Sequence, residues 1–232
     1  MIFITGDTHI PIDIHKLNTK TFPRQKELNK SDYVIICGDF GGVWYPEDSH
    51  YYKEDLNWQR WLRKKNFTTL FVDGNHENHH LLCRLPTVEM FGGSVGRVND
   101  SVYHLRRGEV YQIDGKKIFC FGGAKSRDRE HRKDGISWWQ EEMPSDAEME
   151  YGIENLAKHS FRVDYIISHC APSFVQQKMT KQFENDRLTD YFNTVASQTE
   201  FEMWFFGHYH INDIIDNRYV ALFDAIVNPE NK

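Results

Sequence analysis

Long apolar runs are missing from this chain. In its 232 residues the apolar stretches stop at about six, far short of the roughly 20 that cross a bilayer. No membrane span is therefore expected. The opening Met1-Ile2-Phe3-Ile4 has neither the basic region nor the apolar region of a secretory signal. Paired cysteine spacing is also absent. Cys37, Cys83, Cys120 and Cys170 form no C-x-x-C, and Cys37 and Cys120 lie in apolar strand-like runs. They read as buried free thiols in a reducing compartment, so a cytoplasmic location is expected. There is no excess of positive charge: 28 Lys and Arg against 34 Asp and Glu give −6. That balance argues against a general polyanion-binding surface. Bound divalent cations would offset it locally, so a phosphate substrate stays compatible with it. Internal repeats, low-complexity tracts and linkers are lacking too. The length suits a single domain over 1–232 that needs no disulfide or structural metal to bury a core.

What is present is a globular composition, 40% hydrophobic with 14% aromatic residues. Met1 to Thr5, Tyr33 to Cys37 and Phe67 to Val72 read as buried strands. A short polar helix is expected over Lys20 to Asn29. A second is expected over Tyr51 to Lys65, where Leu56, Trp58, Trp61 and Leu62 recur at helical spacing. This β-α-β-α-β alternation predicts a parallel sheet. A short helical stretch should end before Pro86. Strand-like pieces at 102–105, 109–113 and 117–121 read as antiparallel, with Asp114-Gly115 as a hairpin turn. Ala124 to Met143 reads as a long polar loop. Ser145 to Glu148 is a capping box opening a helix to about His159. Strands are expected over Val163 to Ser168 and Met203 to Phe206, a helix over Asn185 to Gln198, and a closing hairpin over Ile211 to Phe223.

Polar residues cluster where the apolar runs stop. Asp7 and His9 follow the first, Asp39 the second, Asn75 and His76 the third, His169 a fourth, and His208 and His210 a fifth. Ligands of open α/β sheets bind at such strand ends. Two carboxylates, an amide and several imidazoles, with one carboxylate shared, suffice for two divalent ions. Oxygen and imidazole donors without thiolate suit Mn²⁺, Fe, Zn²⁺ or Ni²⁺ better than Ca²⁺ or Mg²⁺. Two such ions can hold a bridging hydroxide and clamp a phosphate. Gly6, Gly38, Gly74 and Gly207 allow tight turns and leave room for a substrate.

Asp7-Thr8-His9, Gly38-Asp39, Gly74-Asn75-His76-Glu77, His169 and Gly207-His208-Tyr209-His210 resemble the five-part signature of calcineurin-like metallophosphoesterases. The resemblance runs from residue 7 to residue 210. It implies a four-layer α-β-β-α sandwich, with two mixed central sheets and a dimetal site at the strand ends. It also implies that Asp7, His9 and His210 bind one ion, that Asn75, His169 and His208 bind the other, and that Asp39 bridges them. His76 would be the catalytic histidine beside the ions. A metal-bridging hydroxide would attack phosphorus in line, Asn75 would stabilise equatorial charge, and His76 would assist the leaving oxygen. The expected substrates are small or nucleotide-like phosphate mono- or diesters. The alternatives are a nuclease or end-phosphatase acting on nucleic acid and, less favoured, a protein Ser/Thr phosphatase. Those protein phosphatases carry Asp-Arg-Gly after the second motif, where this chain has Gly41-Gly42-Val43-Trp44. A phosphate clamp and the usual carboxylate partner of the catalytic histidine are thereby missing. Gly122 to Glu142 resembles small bacterial and phage-type members of the superfamily.

The remaining residues have plainer readings. His15, His50, His79, His80, His104, His131 and His159 carry no motif and are expected at the surface or in caps, with a supporting role beside the site also open for His79 and His80, and Cys170 as a buried thiol. Trp138-Trp139 reads as core in preference to a base-stacking platform. The basic loop, with Arg127, Arg129 and Arg132, is either a solvated surface or the replacement phosphate clamp. Trp44 is a candidate to stack on a substrate ring.

Overall fold

The computed structural model describes residues 1–180 and 185–230. In chain order the elements are β1 (Ile2–Thr5), β2 (Tyr33–Ile36), α1 (Tyr52–Arg63), β3 (Thr68–Phe71), α2 (His79–Leu82), β4 (Thr87–Met90), β5 (Gly93–Asn99), β6 (Val102–Leu105), β7 (Glu109–Ile113) and β8 (Lys116–Phe121). There follow α3 (Asp146–Lys158), β9 (Tyr165–Ser168), α4 (Ser173–Met179), α5 (Arg187–Gln198), β10 (Met203–Phe206), β11 (Asp213–Ile215), β12 (Tyr219–Ala221) and β13 (Ile226–Val227). One sheet has the order β13-β1-β2-β3-β6-β5-β4 and the other β11-β12-β10-β9-β8-β7. Both are mixed. Their central strands run parallel, and antiparallel strands close both edges.

Strand periodicity explains the layering. Successive side chains face opposite sides of a sheet. Ile2 and Ile4 of β1 therefore join Ile35, Leu70, Ile118 and Ile167 in the core between the sheets. Phe3 faces outward with Val34, Ile36 and Phe71, under Leu17, Phe22 and Leu62. Across the molecule Phe119, Phe121, Ile166 and Trp204 pack under Leu156, Val175, Phe192 and Val195 of α3, α4 and α5. The result is a four-layer sandwich.

Three expectations change. Residues 20–29 form no α-helix: the first crossover is built from 3-10 turns at Ile14–Leu17 and Pro23–Glu27. The predominantly polar stretch has too narrow an apolar stripe for a regular helix. The three strands read as one antiparallel set are divided between the sheets. β6 lies parallel to β3, whereas β7 and β8 form the expected hairpin and β8 lies parallel to β9. The hairpin turn has positive φ at both Asp114 (49°) and Gly115 (80°), as a tight two-residue connection requires. β4, β5, α4 and β13 had no clear sequence signal, being short or, in β5, interrupted by glycine. Cys37, Cys120 and Cys170 are buried, but Cys83 is exposed.

Candidate metal centre

Every motif residue lies just beyond the C-terminal end of a parallel strand: β1, β2 and β3 from one sheet, β9 and β10 from the other. The two sheets thus supply one polar cluster from both sides. The turns are tight. His9, Asp39, His208 and His210 all adopt positive φ, at 33°, 48°, 69° and 52°. Non-glycine residues avoid that region, and functional sites are where it is retained.

The donor atoms converge. Asp39 Oδ2 lies 3.1 Å from His9 Nε2, while Asp39 Oδ1 lies 3.3 Å from His169 Nε2. Asn75 Oδ1 is 3.1 Å from His169 Nε2, and Asp7 Oδ2 is 3.1 Å from His210 Nε2. The ligand atoms of Asp7, His9 and His210 all lie within 4.8 Å of one another. The His208 and His169 rings meet at 5.0 Å between centroids. With metal–ligand bonds of about 2.1 Å, neighbouring donors at right angles sit about 3 Å apart, so this spacing suits a coordination shell. The residues present fit two ions, with Asp39 facing both groups.

Supporting contacts fix the donors. His9 Nδ1 meets Asp13 Oδ2 at 2.8 Å, and His169 Nδ1 meets the Cys37 carbonyl at 2.7 Å. The Asp7 carboxylate accepts from the His208 amide at 2.9 Å, and Asp39 from the His76 amide at 2.7 Å. Asn75 Nδ2 donates to Ser126 Oγ at 3.2 Å, and Ser126 Oγ donates to buried Glu142 at 2.5 Å. That chain turns Asn75 Oδ1 toward the centre. Glu77 accepts from the Phe40 and Gly41 amides at 2.6 and 3.2 Å, tying the second motif to the third. Asp13, Ser126 and Glu142 lie outside every motif, and only the shared acid or hydroxyl chemistry of their side chains hinted at them.

Electrostatics follow from this crowding. Burial lowers the proton affinity of His169, but the Asp39 carboxylate against it wins and raises the group. Asp39 is correspondingly lowered: burial opposes this, and His169 and His9 overcome it. Burial, with His169 adding to it, pushes His208 down to about 3, leaving it a neutral donor. His76 is lowered by burial, against Asp39 and with the Arg132 guanidinium.

The glycines do more than allow the expected tight turns, of which Gly38 at φ 89° is one. A Cβ at Gly207 would lie 2.0 Å from Asp7 Oδ1, at Gly74 2.1 Å from Asp39 Oδ1, and at Gly38 2.2 Å from His169 Nδ1. The space they leave is filled by the donor side chains themselves, not kept for substrate.

The basic loop divides. Arg132 Nη1 and Nη2 lie 3.1 Å from Nδ1 and Nε2 of His76. Arg127 and Arg132 line a cleft of about 570 Å³ with Asp39, Asn75, His76 and His208. Arg129 instead lies over the Trp138 ring, 4.1 Å from its centroid. Trp138 and Trp139 are buried. Trp44 borders a separate cavity with His9 and His76. His79 and His104, expected in surface or capping roles, are buried. His104 Nε2 contacts Asp73 Oδ1 at 3.1 Å, because Asp73 turns inward at the end of β3.

Comparison with known proteins follows the same lines. A family model described as calcineurin-like phosphoesterase matches residues 1–212. The chain is also similar to the lariat debranching enzyme of Schizosaccharomyces pombe (strain 972 / ATCC 24843), 26% identical over 163 residues. That match covers 65% of this chain and 34% of the relative, so the chain spans about a third of that enzyme's length.

Proposed function

The chain belongs to the calcineurin-like phosphoesterase family, hydrolases of phosphate esters with a dinuclear metal site, and from that premise we propose the following assignment. It is a single-domain, cytoplasmic phosphoesterase acting on small or nucleotide-like phosphate mono- or diesters. Asp7, His9 and His210 would hold one divalent ion and Asn75, His169 and His208 the other, with Asp39 shared between them; Mn²⁺ is the favoured metal, and Fe, Zn²⁺ or Ni²⁺ suit the same donors. When bound, the ions supply hydroxide near neutral pH and polarise phosphoryl oxygens. The observation that carries this reading is the spacing of Asp39, with one oxygen 3.1 Å from His9 and the other 3.3 Å from His169.

The chain's own residues orient the ester. Arg132 is the cation nearest His76 and stands in for the clamp absent at Gly41-Gly42, where a guanidinium would pair with phosphoryl oxygens. Asn75, held by Ser126, presents its amide to the same phosphate. His76, kept neutral by burial and by Arg132, donates a hydrogen bond to the ester oxygen as that bond breaks. Arg127 lines the same cleft. The absent Asp-Arg-Gly weakens a protein phosphatase reading.

A nucleic-acid substrate is the second reading. It is favoured by the two arginines lining the cleft and by likeness to an enzyme named for debranching lariats.

The test is turnover of p-nitrophenyl phosphate, bis-p-nitrophenyl phosphate and a single-stranded oligonucleotide with Mn²⁺. Asp39→Asn and His76→Ala serve as controls. Metal-dependent hydrolysis lost in both variants is expected, and the preferred substrate fixes the ester class. Steep loss of oligonucleotide binding with salt would favour the nucleic-acid reading. Bound metal with no turnover of any of the three would overturn hydrolysis of these esters.

A further inference from the structure

Beside the metal cleft opens a second cavity of about 280 Å³ with a different lining. Trp44, Trp58, Ile10 and Ile12 form its walls, and Glu54 brings a carboxylate to it. Ile12 is 72% exposed. With Ile10, Pro11, Trp44 and Trp58 it makes the mouth of this cavity predominantly apolar and aromatic, the usual character of a small-molecule pocket. His76 lines both this cavity and the cleft bordered by Asp39 and Asn75. It therefore stands at the junction. An ester whose phosphate sits in the cleft passes His76 with its organic group entering the aromatic cavity.

We propose that this cavity is the leaving-group subsite and that it takes a nucleobase with its sugar. The inference rests on the phosphoesterase reading for the word "leaving", and on the cavity alone for the base. The walls are fixed before a ligand arrives. Trp44 and Tyr45 donate their amides to Asp55 at 2.6 and 2.8 Å, and Trp139 meets the Trp44 ring at 5.4 Å, nearly perpendicular. Trp58 is braced in the same way by Trp61 at 5.6 Å. Rigid indoles suit a flat aromatic ring, since stacking needs a π-face and no ordering of the protein. The Glu54 carboxylate accepts a base N–H, which a plain hydrocarbon ring lacks. The volume suits one ring system with its sugar and is too small for a folded partner. In the reaction water adds to phosphorus, the P–O ester bond breaks, and the nucleoside oxygen leaves with a proton. A free nucleotide and the end of a nucleic-acid strand present this same chemistry.

Binding is tested first, without phosphate, by saturation-transfer NMR of adenosine and of ribose with the protein loaded with diamagnetic Zn²⁺. Transfer to the base protons of adenosine, with little to ribose, is expected. It should fall in Trp44→Ala and in Ile12→Ser, the latter a surface change that leaves the core intact. Equal transfer to ribose and adenosine, or adenosine transfer untouched in both variants, overturns the subsite. Kinetics then use whichever ester class is turned over, comparing a nucleoside ester with the matching glycerol ester. The nucleoside ester should be preferred about 10-fold or more in kcat/KM, and the ratio should drop about 10-fold in Trp44→Ala. Preference for a 5′-phosphorylated oligonucleotide over a mononucleotide would identify a strand end as the source. The reverse would identify a free nucleotide. Failure of both esters with adenosine binding intact would count against the hydrolase reading and leave the subsite standing.

Discussion

Two buried charged clusters lie side by side at the end of β3, and they solve the same problem in opposite ways. Asp73 is covered by its own cation: Arg107 Nε and Nη2 reach Asp73 Oδ2 at 2.9 and 2.5 Å. The same guanidinium holds the Glu141 and Glu142 carbonyls at 2.8 and 3.3 Å. Burial opposes ionisation of Asp73, but Arg107 prevails and holds the carboxyl well below its usual range. Two residues on, Asn75 meets His169 in the other cluster, where the Asp39 and Asp7 carboxylates meet imidazole nitrogens and backbone amides. An imidazolium can release its proton and bind a metal through the freed nitrogen, which a guanidinium cannot. The first cluster is therefore a permanent strut. The second is a socket whose positive charge is exchangeable.

The sharpest way to break this contrast is to remove the socket's central charge. Asp39→Asn should lower metal-dependent turnover by more than about 100-fold and abolish the rise in Tm that Mn²⁺ gives the unaltered protein. With ion at about 100 times its Kd that rise corresponds to about 2.7 kcal/mol. A normal Mn²⁺-induced shift in the variant would argue that Asp39 is not shared between ions.

Removing the strut's cation should act on stability instead. Arg107→Ala leaves Asp73 buried and unpaired, with an expected loss of about 3–5 kcal/mol in urea unfolding. Replacing both partners, as Asp73→Leu with Arg107→Met, should recover much of that loss. A double variant no more stable than Arg107→Ala would show that the pair does more than satisfy itself.

The smallest expected effect sits where the clusters touch. Arg107 holds the Glu142 carbonyl, Glu142 holds Ser126, and Ser126 holds the Asn75 amide. Ser126→Ala should weaken metal affinity or activity by about 10-fold and cost about 1–3 kcal/mol in urea unfolding, because buried Glu142 and Asn75 each lose a partner. A large stability loss with unchanged metal affinity would make Ser126 part of the strut alone.

Much of this was legible without coordinates. Each donor follows an apolar run, so its position at a strand end is a local property, readable from Asp7, Asp39, Asn75, His169 and His208 in order. The parallel order of β1, β2 and β3 followed from the same runs, whereas β6 and β8, read as antiparallel, pair parallel with β3 and β9. Less legible were β4 and β5, where Gly93 and Gly96 and half-exposed side chains blur the period-two pattern. His104 and His79 looked like surface residues because nothing near them in sequence announces Asp73 as an inward-facing charge. Arg132 was one of three equivalent arginines in the sequence, and packing alone separates it from Arg129 on Trp138.

Residue chemistry and strand-end placement belong to the sequence, because side-chain donors and the periodicity of five or six residues are set locally. The pairing of cations with carboxylates belongs to the tertiary structure. Arg107 meets Asp73 across 34 positions, and Asn75 meets His169 across 94. No local pattern specifies which buried carboxylate keeps a guanidinium and which is left to imidazoles. That choice arises when two sheets bring distant loops within hydrogen-bonding reach.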